Sequence, residues 1–209
     1  MKTTYASLIF FVALQFMLIS GDKPNIVFLL ADDMSRDTWG MYGSKDCKTP
    51  NIDKLAKDGL TFNKAYCSVA MCAPFRQELY SGRSPWRTGT LANHFKSNAD
   101  TKSIPHYLKP LGYRVALAGK KHIGPAQAYP FEILKGGAWK KDNDNVRFVA
   151  ATNKFVDECK KDNTPFCLFL ASHDGHDPFT SGDASQYDKD KLTIPPYWLD
   201  TPKLRETLV

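Results

Sequence analysis

Asp32 and Asp33 form an adjacent pair of carboxylates directly after an apolar segment of the sequence. Carboxylate oxygens are hard ligands of the kind that Ca²⁺ and Mg²⁺ bind. Such a pair usually lies in a surface turn, but its position at the end of a predicted buried strand makes a metal site an equal alternative. Because a calcium ion takes about 6–8 oxygen ligands, further ligands must come from other parts of the chain.

Cys72 is followed by Pro74, Arg76 and the glycine- and arginine-containing segment GRSPWRTG. An activated thiolate with a histidine base is one interpretation, and a buried structural cysteine is another. The segment APFRQELYSG predicts a short helix with Pro74 near its start, which places Cys72 at a helix N-terminus. Backbone N–H groups there favour a bound anion, and Arg76 adds a positive charge. The residues therefore predict an anion-binding site beside an unusual cysteine.

Two further polar segments, GKKHIG and SHDGHDPF, each follow an apolar run. Lys120 and His122 are one residue apart, so in an extended strand end they would face the same side. A lysine attracts anionic groups and a histidine transfers protons near neutral pH, although an exposed basic turn is the alternative. His173 and His176 have a spacing that zinc sites use, but no further ligands follow in a zinc pattern.

The polar segments follow runs that predict strands buried on both faces. These runs are NIVFLLAD (25–32), YRVALAG (113–119) and PFCLFLAS (165–172), and a shorter strand is predicted at LTFNKAY (60–66). The predicted helices are TPNIDKLAKDG, with Thr49 as N-cap and Gly59 as its end, SIPHYLKPLG, ending at Gly112, and the helically spaced segment 145–160. Strands that alternate with helices indicate an α/β fold with a mainly parallel sheet flanked by helices.

This fold brings the polar segments together. In open α/β sheets, ligands bind beyond the carboxyl ends of the strands. The aspartate pair, GKKHIG and SHDGHDPF each follow such an end, so all three are expected at one edge of the sheet. Segment 126–143 and the chain after residue 180 are rich in Pro, Gly and polar residues, which predicts loops over that edge.

Residues 1–21 predict an export signal peptide. Lys2 precedes an apolar run, and Ser20 and Gly21 follow it. The run is shorter than the roughly 20 residues that a membrane-spanning helix needs, although an uncleaved anchor is the alternative. The remaining chain, 22–209, is expected to be exported without stable membrane insertion.

The formal net charge of +6 is scattered along the chain, so a solvated basic surface is expected and no nucleic-acid partner is predicted. The five cysteines are an odd number, and export permits disulfides. Four of them could therefore pair and leave Cys72 unpaired.

Several of these segments resemble the N-terminal half of type I sulfatases. They are KPNIVFLLADD, the stretch TPNIDKLAKDGLTFNKAYCSVAMCAPFRQELYSGRSPWRTG, GYRVALAGKKHIG and GHDPF. GYRVALAGKKHIGPAQAYPFE and PYWLDTPKLRETL resemble the heparan N-sulfatase (sulfamidase) members of that family. The resemblance implies an alkaline-phosphatase-like catalytic domain, of which 22–209 would be the N-terminal part.

The resemblance also implies a mechanism. In this family a maturation enzyme oxidises the cysteine to formylglycine, an aldehyde whose hydrate attacks the sulfate group. Pro74 and Arg76 would belong to the maturation signal, and Phe75 occupies a position where family members commonly carry a small residue. The implied metal ligands are Asp32, Asp33 and the group formed from Cys72, with Ca²⁺ expected and Mg²⁺ as the alternative. The implied catalytic residues are Cys72, Arg76, Lys120, His122 and His176.

The expected function is release of sulfate from a sulfated sugar or glycosaminoglycan, with N-sulfoglucosamine favoured and an O-sulfated sugar as the rival. Periplasmic or secreted location is expected in a bacterium, and lysosomal or secreted location in an animal. An Asp-Asn pair that completes the family's metal site is expected beyond residue 209, so this chain alone is expected to be inactive. The alternatives are a non-catalytic chain and a phosphoesterase of the same superfamily, which would usually have Ser or Thr in place of Cys72.

Overall fold

The predicted parallel sheet is present in the computed structural model, which describes residues 23–135, 144–177 and 183–208. Its four strands lie in the order β1-β4-β2-β3, and every neighbouring pair is parallel. The strands are β1 (Ile26–Leu30), β2 (Arg114–Gly119), β3 (Glu132–Leu134) and β4 (Phe166–Ala171). The predicted α/β class is therefore confirmed.

Helices precede or connect these strands. The α-helices are α1 (Pro50–Asp58), α2 (Cys72–Ser81), α3 (Pro85–Thr88), α4 (Ile104–Leu108), α5 (Asp144–Lys161) and α6 (Pro202–Thr207). Short 3₁₀ helices lie at Arg36–Thr38, Gly40–Tyr42, Lys109–Leu111, Ala184–Gln186 and Lys189–Lys191. The predicted helix ends are confirmed, because α1 lies between Thr49 and Gly59, and Gly112 follows the 3₁₀ turn that extends α4. None of the described helices is both long enough and apolar enough to cross a membrane.

Both faces of the central strands are covered by apolar side chains. On one face, Tyr80 of α2 packs edge-on against the rings of Phe131 and Phe169, with centroids 5.2 and 5.0 Å apart. On the other, Phe155 of α5 packs against Phe166 of β4. Complete burial of a phenylalanine side chain is worth about 1.5–3 kcal/mol, and the ring of Tyr80 lies in one buried cluster with Phe131 and Phe169. Tyr80 therefore fixes α2, and with it Cys72, to the sheet.

The prediction that β1 is buried on both faces is wrong. Val27 and Leu29 are 52% and 61% exposed, whereas β2 and β4 are almost entirely buried. Among the described residues, β1 is an edge strand that pairs only with β4, and α5 packs against β2 and β3. No element in the described part of the chain covers the outer side of β1. An apolar run predicts a strand, but its neighbours decide whether the strand is buried.

Segment 60–66 is not a strand, because no neighbouring strand pairs with it within the described ranges, and Leu60 and Tyr66 are exposed. The prediction of a loop over 126–143 is wrong in part, since β3 pairs with β2 there, while 136–143 lie outside the described residues. The prediction of loops after residue 180 is also wrong in part, because α6 forms there.

The expected disulfides are absent. All five cysteines lie in the described part of the chain, and each is a free thiol. Cys159 and Cys167 are buried in the core, and burial raises the pKa of both. They act as small apolar side chains of the core, in α5 and β4, and form no disulfide bond. The predicted signal peptide, 1–21, lies outside the described residues.

Candidate active site

Cys72 is the first residue of α2, as the sequence predicts. The helix start offers fewer free N–H groups to an anion than expected. Ala73 N–H donates to Asn93 Oδ1 at 3.2 Å, Pro74 has no N–H, and Phe75 N–H donates to the Met71 carbonyl at 3.0 Å. Positive charge near Cys72 must therefore come mainly from side chains.

Two buried cations share the carboxylate of Asp32. Arg76 Nη2 donates to Asp32 Oδ1 at 3.0 Å, and Lys120 Nζ donates to Asp32 Oδ2. All three side chains are at most 4% exposed. Burial acts to raise the pKa of Asp32, but the Lys120 hydrogen bond and then the Arg76 charge outweigh it, so this pKa lies below its usual value.

The cations are connected to Cys72. Lys120 Nζ lies 3.5 Å from Cys72 Sγ, and Arg76 Nη1 donates to the Lys120 carbonyl at 3.2 Å. The trio of Asp32, Arg76 and Lys120 contains two positive groups and one negative group. Its single net positive charge lies in a buried setting, where electrostatic attraction is stronger than in water. The arrangement favours an anionic group beside Cys72.

A second cluster contains Asp33, Cys72 and His176, whose potential ligand atoms all lie within 4.8 Å of one another. The three residues come from different segments, after β1, at the start of α2 and after β4. His176 Nε2 lies 3.8 Å from Asp33 Oδ2, and its Nδ1 contacts the carbonyl of Asp177 at 2.8 Å. The predicted meeting of strand ends therefore occurs at this edge of the sheet.

The donor set of this cluster suits a divalent cation. Asp33 offers a hard oxygen, and conversion of Cys72 to formylglycine would replace a soft sulfur by oxygen. Asp32 lies beside the cluster, with its oxygens engaged by the two cations. The cluster thus differs from the predicted ligand set in containing His176 in place of Asp32.

His122 is displaced from the regular end of β2. It has a positive φ of 47°, so the extended geometry assumed from the sequence does not apply. Its Nε2 lies 2.8 Å from Nδ1 of His94. Burial lowers the pKa of His122 most, and electrostatic repulsion from the neighbouring His94 ring and from Lys120 lowers it further.

The sequence patterns missed three residues that support the site. Asn93 accepts the Ala73 N–H, His94 contacts His122, and Gln77 donates to the Phe95 carbonyl at 2.9 Å. The only local signal is an Asn-His pair between two predicted elements, residue types that tolerate the left-handed backbone that His94 adopts. His173, also noted in the sequence, donates no ligand atom to the Asp33 cluster but lies in the same loop as His176.

Known proteins similar to this chain are sulfatases. An ulvan-active sulfatase of Formosa agariphila is 39% identical over 160 residues, which cover 74% of this chain and 31% of the relative. N-sulphoglucosamine sulphohydrolase of Homo sapiens is 33% identical over 161 residues, which cover 73% of this chain and 32% of the relative. The chain therefore spans about a third of the length of these two curated relatives.

Solved structures share the fold. BT4656, solved in complex with its substrate D-glucosamine-2-N,6-O-disulfate, matches with a TM-score of 0.58 and 25% identity, over 71% of this chain and 34% of that chain. Phosphonate monoester hydrolase of Agrobacterium radiobacter matches with a TM-score of 0.66 and 17% identity, over 82% of this chain and 45% of that chain. These similarities confirm the alkaline-phosphatase-like fold.

A family model described as Sulfatase matches residues 24–193. This range contains the sheet, α2 and all the strand-end residues described above. The predicted family is therefore confirmed, and the chain belongs to the sulfatase family.

Proposed function

We propose that the protein releases sulfate from a sulfated carbohydrate, with a formylglycine made from Cys72 as its nucleophile. The observation that carries this proposal is the position of Cys72, at the start of α2 and 3.5 Å from a buried lysine ammonium. A buried cation at this distance suits the charge of a sulfate group and of the attacking oxygen. The motif of Cys72, Pro74 and Arg76 supplies the maturation signal.

Formylglycine, once formed, supplies a hydrated aldehyde with one oxygen for attack on sulfur and a second whose deprotonation expels sulfate. A maturation enzyme is the partner that removes the thiol sulfur of Cys72 and supplies the oxidant. The side chain of Phe75 follows Pro74 in α2. Because Phe75 is only partly buried, the larger residue is accommodated in this fold.

Lys120 and Arg76 hold the anionic groups in this proposal. Both side chains are held in place by hydrogen bonds, since Arg76 donates to Asp32 and to the Lys120 carbonyl. Fixed donors of this type stabilise developing negative charge without reorganisation during the reaction. Arg76 therefore orients Asp32 and Lys120 and adds a second positive charge beside the formylglycine, while the ammonium of Lys120 binds the sulfate.

Asp32, Asp33 and the oxygen of the formylglycine would hold a divalent metal ion, for which we propose Ca²⁺. Such an ion supplies positive charge that polarises the sulfate and favours ionisation of the hydrate. The proximity of Asp33 to Cys72 supports this assignment, as does the position of Asp32 beside them.

His122 and His176 are the proposed proton-transfer groups. His122 takes a proton from the hydrate, because its lowered pKa keeps the ring neutral near pH 7. His176 lies in the cluster with Cys72 and Asp33, where it can bind the sulfate and protonate the leaving group. Two histidines in different surroundings suit a reaction that needs both a base and an acid.

The proposed substrate is a glycosaminoglycan-type sugar with an N-sulfated glucosamine, and an O-sulfated sugar is the rival. Similarity to N-sulphoglucosamine sulphohydrolase and to a protein solved with an N- and O-sulfated glucosamine supports this class. The proposed location is outside the cytoplasm, where such polysaccharides occur.

The test compares Cys72→Ala with the matched control Cys67→Ala, which alters an exposed thiol five residues away. Because the chain covers about a third of its relatives, the full open reading frame is expressed together with a formylglycine-generating enzyme. Released sulfate is measured by ion chromatography on N-sulfoglucosamine and on glucosamine 6-sulfate. Mass spectrometry of the Cys72 peptide reports the conversion of thiol to aldehyde.

We expect sulfate release by the wild type and by Cys67→Ala, and none by Cys72→Ala. Removal of the nucleophile eliminates the only residue that forms a covalent bond to the sulfate. The proposal is wrong if Cys72→Ala keeps wild-type activity, or if active protein contains Cys72 only as a thiol. Hydrolysis of the O-sulfated sugar alone would retain the mechanism and change the substrate.

A further inference from the structure

His94 forms a pair with His122, and the proposed reaction assigns no role to His94. His122 Nε2 and His94 Nδ1 lie 2.8 Å apart, and the ring centroids lie 4.7 Å apart. This is a hydrogen-bond distance, so one of the two nitrogens carries the proton and the other accepts it. His94 can therefore control which nitrogen of His122 is protonated.

His94 is held in place by the helix that carries Cys72. Its preceding neighbour, Asn93, accepts the Ala73 N–H at 3.2 Å, and its following neighbour, Phe95, accepts from Gln77 Nε2 at 2.9 Å. The backbone of His94 between these two anchors has a positive φ of 67°. Contacts on both sides thus fix a backbone conformation that a non-glycine residue rarely adopts. The cysteine and the histidine pair share one rigid support.

The surroundings of Nδ1, the second ring nitrogen of His122, indicate which of its two nitrogens carries the proton. Nδ1 of His122 is buried and has no hydrogen-bond partner among the residues that the structure describes. A buried N–H without an acceptor is rarer and more costly than a bare acceptor nitrogen. The proton therefore lies on Nε2, which donates to His94, and Nδ1 keeps a free lone pair.

The charges around His122 agree with a neutral ring. Burial lowers its pKa most, followed by electrostatic repulsion from the neighbouring His94 ring, Lys120 and Arg76, and Asp32 opposes them with a smaller effect. A neutral ring with one lone pair is the state that a general base requires.

We propose that His94 is a positioning residue that holds His122 in the tautomer whose Nδ1 accepts the proton in the sulfatase reaction. The catalytic part of this inference rests on the proposed function, whereas the tautomer is a property of the protein that can be measured separately. His94 itself need not touch the substrate, because it acts through the orientation and protonation of His122.

The first test is nitrogen NMR of the chain labelled with [¹⁵N]histidine, with the five histidines assigned by single substitutions. In the wild type we expect a pyrrole-type Nε2 and a pyridine-type Nδ1 for His122. His94→Asn places an amide oxygen close to the original Nδ1 and tolerates positive φ, so it should keep this pattern. His94→Ala and the bulkier His94→Leu both remove the acceptor, and a tautomer mixture is expected.

His106→Ala is the matched control. Its ring accepts the Ser103 N–H at 3.2 Å within its own helix, so its loss should leave the His122 signals unchanged. His94→Leu retains side-chain volume and carries the test if His94→Ala does not fold. Unchanged His122 signals in folded His94→Ala or His94→Leu would overturn the proposal.

The second test measures sulfate release by the matured full-length protein. We expect kcat to fall about 10-fold or more in His94→Ala with little change in KM, because a misplaced supporting group typically costs about 10–100-fold. His94→Asn should recover most of the activity. Wild-type kcat in His94→Ala would overturn the positioning role. An inactive wild type would instead refute the proposed function, and the NMR result would still decide the tautomer.

Discussion

Gly119 gives a direct test of how closely the ends of β2 and β4 approach each other at the site. It closes β2 with a positive φ of 81°, and an added Cβ would lie 2.0 Å from the Ala171 carbonyl oxygen and 3.0 Å from Phe148 Cε2. The same carbonyl accepts the Lys120 N–H at 2.9 Å. Any movement that relieves the clash therefore disturbs the backbone of the lysine that contacts Cys72.

The expected loss for Gly119→Ala combines two effects. A left-handed backbone costs an L-residue roughly 1–2 kcal/mol, and an over-packed site adds about 1–3 kcal/mol. We therefore expect the free energy of unfolding to fall by about 2–5 kcal/mol. The matched control is Gly82→Ala, because Gly82 has a similar φ of 64° but open space around an added Cβ. It should lose only the backbone part, roughly 1–2 kcal/mol.

Both variants are compared with the wild type by urea unfolding, followed by circular dichroism. The midpoint should shift much further for Gly119→Ala than for Gly82→Ala, with a similar slope for all three proteins. Equal losses in the two variants would show that the clash with the Ala171 carbonyl has no energetic effect. The tight strand-end geometry described above would then be wrong.

Two further predictions concern buried groups outside the reacting set. Cys159 and Cys167 should resist a thiol reagent in the native protein and react only on unfolding. Raising the pH to 10 should not make native Cys167 reactive, because burial raises its pKa to about 11. Rapid labelling of either cysteine peptide in the native protein, detected by mass spectrometry, would contradict their burial. Gln77→Ala should lower the free energy of unfolding by about 1–3 kcal/mol, because the Phe95 carbonyl and the Ser97 hydroxyl lose their hydrogen bonds to the buried Gln77 amide. The exposed control Gln186→Ala should change it by less than about 0.5 kcal/mol in the same urea experiment.

Much of the fold follows from local sequence patterns. The apolar runs predict the central strands β2 and β4, and Thr49, Gly59 and Gly112 predict helix ends that the structure confirms. Strand propensity and helix capping are properties of a few adjacent residues, so a sequence displays them directly. Local patterns do not predict the exposure of β1 or the absence of a strand at 60–66, because both depend on which other elements pack against or pair with these segments.

The candidate site also contains residues that the sequence indicates and one that it does not. The residue types at Asp32, Asp33, Cys72 and Lys120 predict a polar site at the strand ends, because parallel strands bring their carboxyl ends to one edge. The sequence alone did not indicate His94, although it lies within hydrogen-bond distance of His122.

The sequence by itself determined the motif around Cys72, the family to which the chain belongs and the strands β1, β2 and β4, whose ends bring the polar residues to one edge. Only the tertiary structure decided that Arg76 and Lys120 share Asp32 in a buried trio, and that His94 meets His122. These partners are 28 to 88 residues apart in the chain. Their contacts depend on the packing of α2 and its following loop against the sheet, and that packing cannot be read from any local pattern.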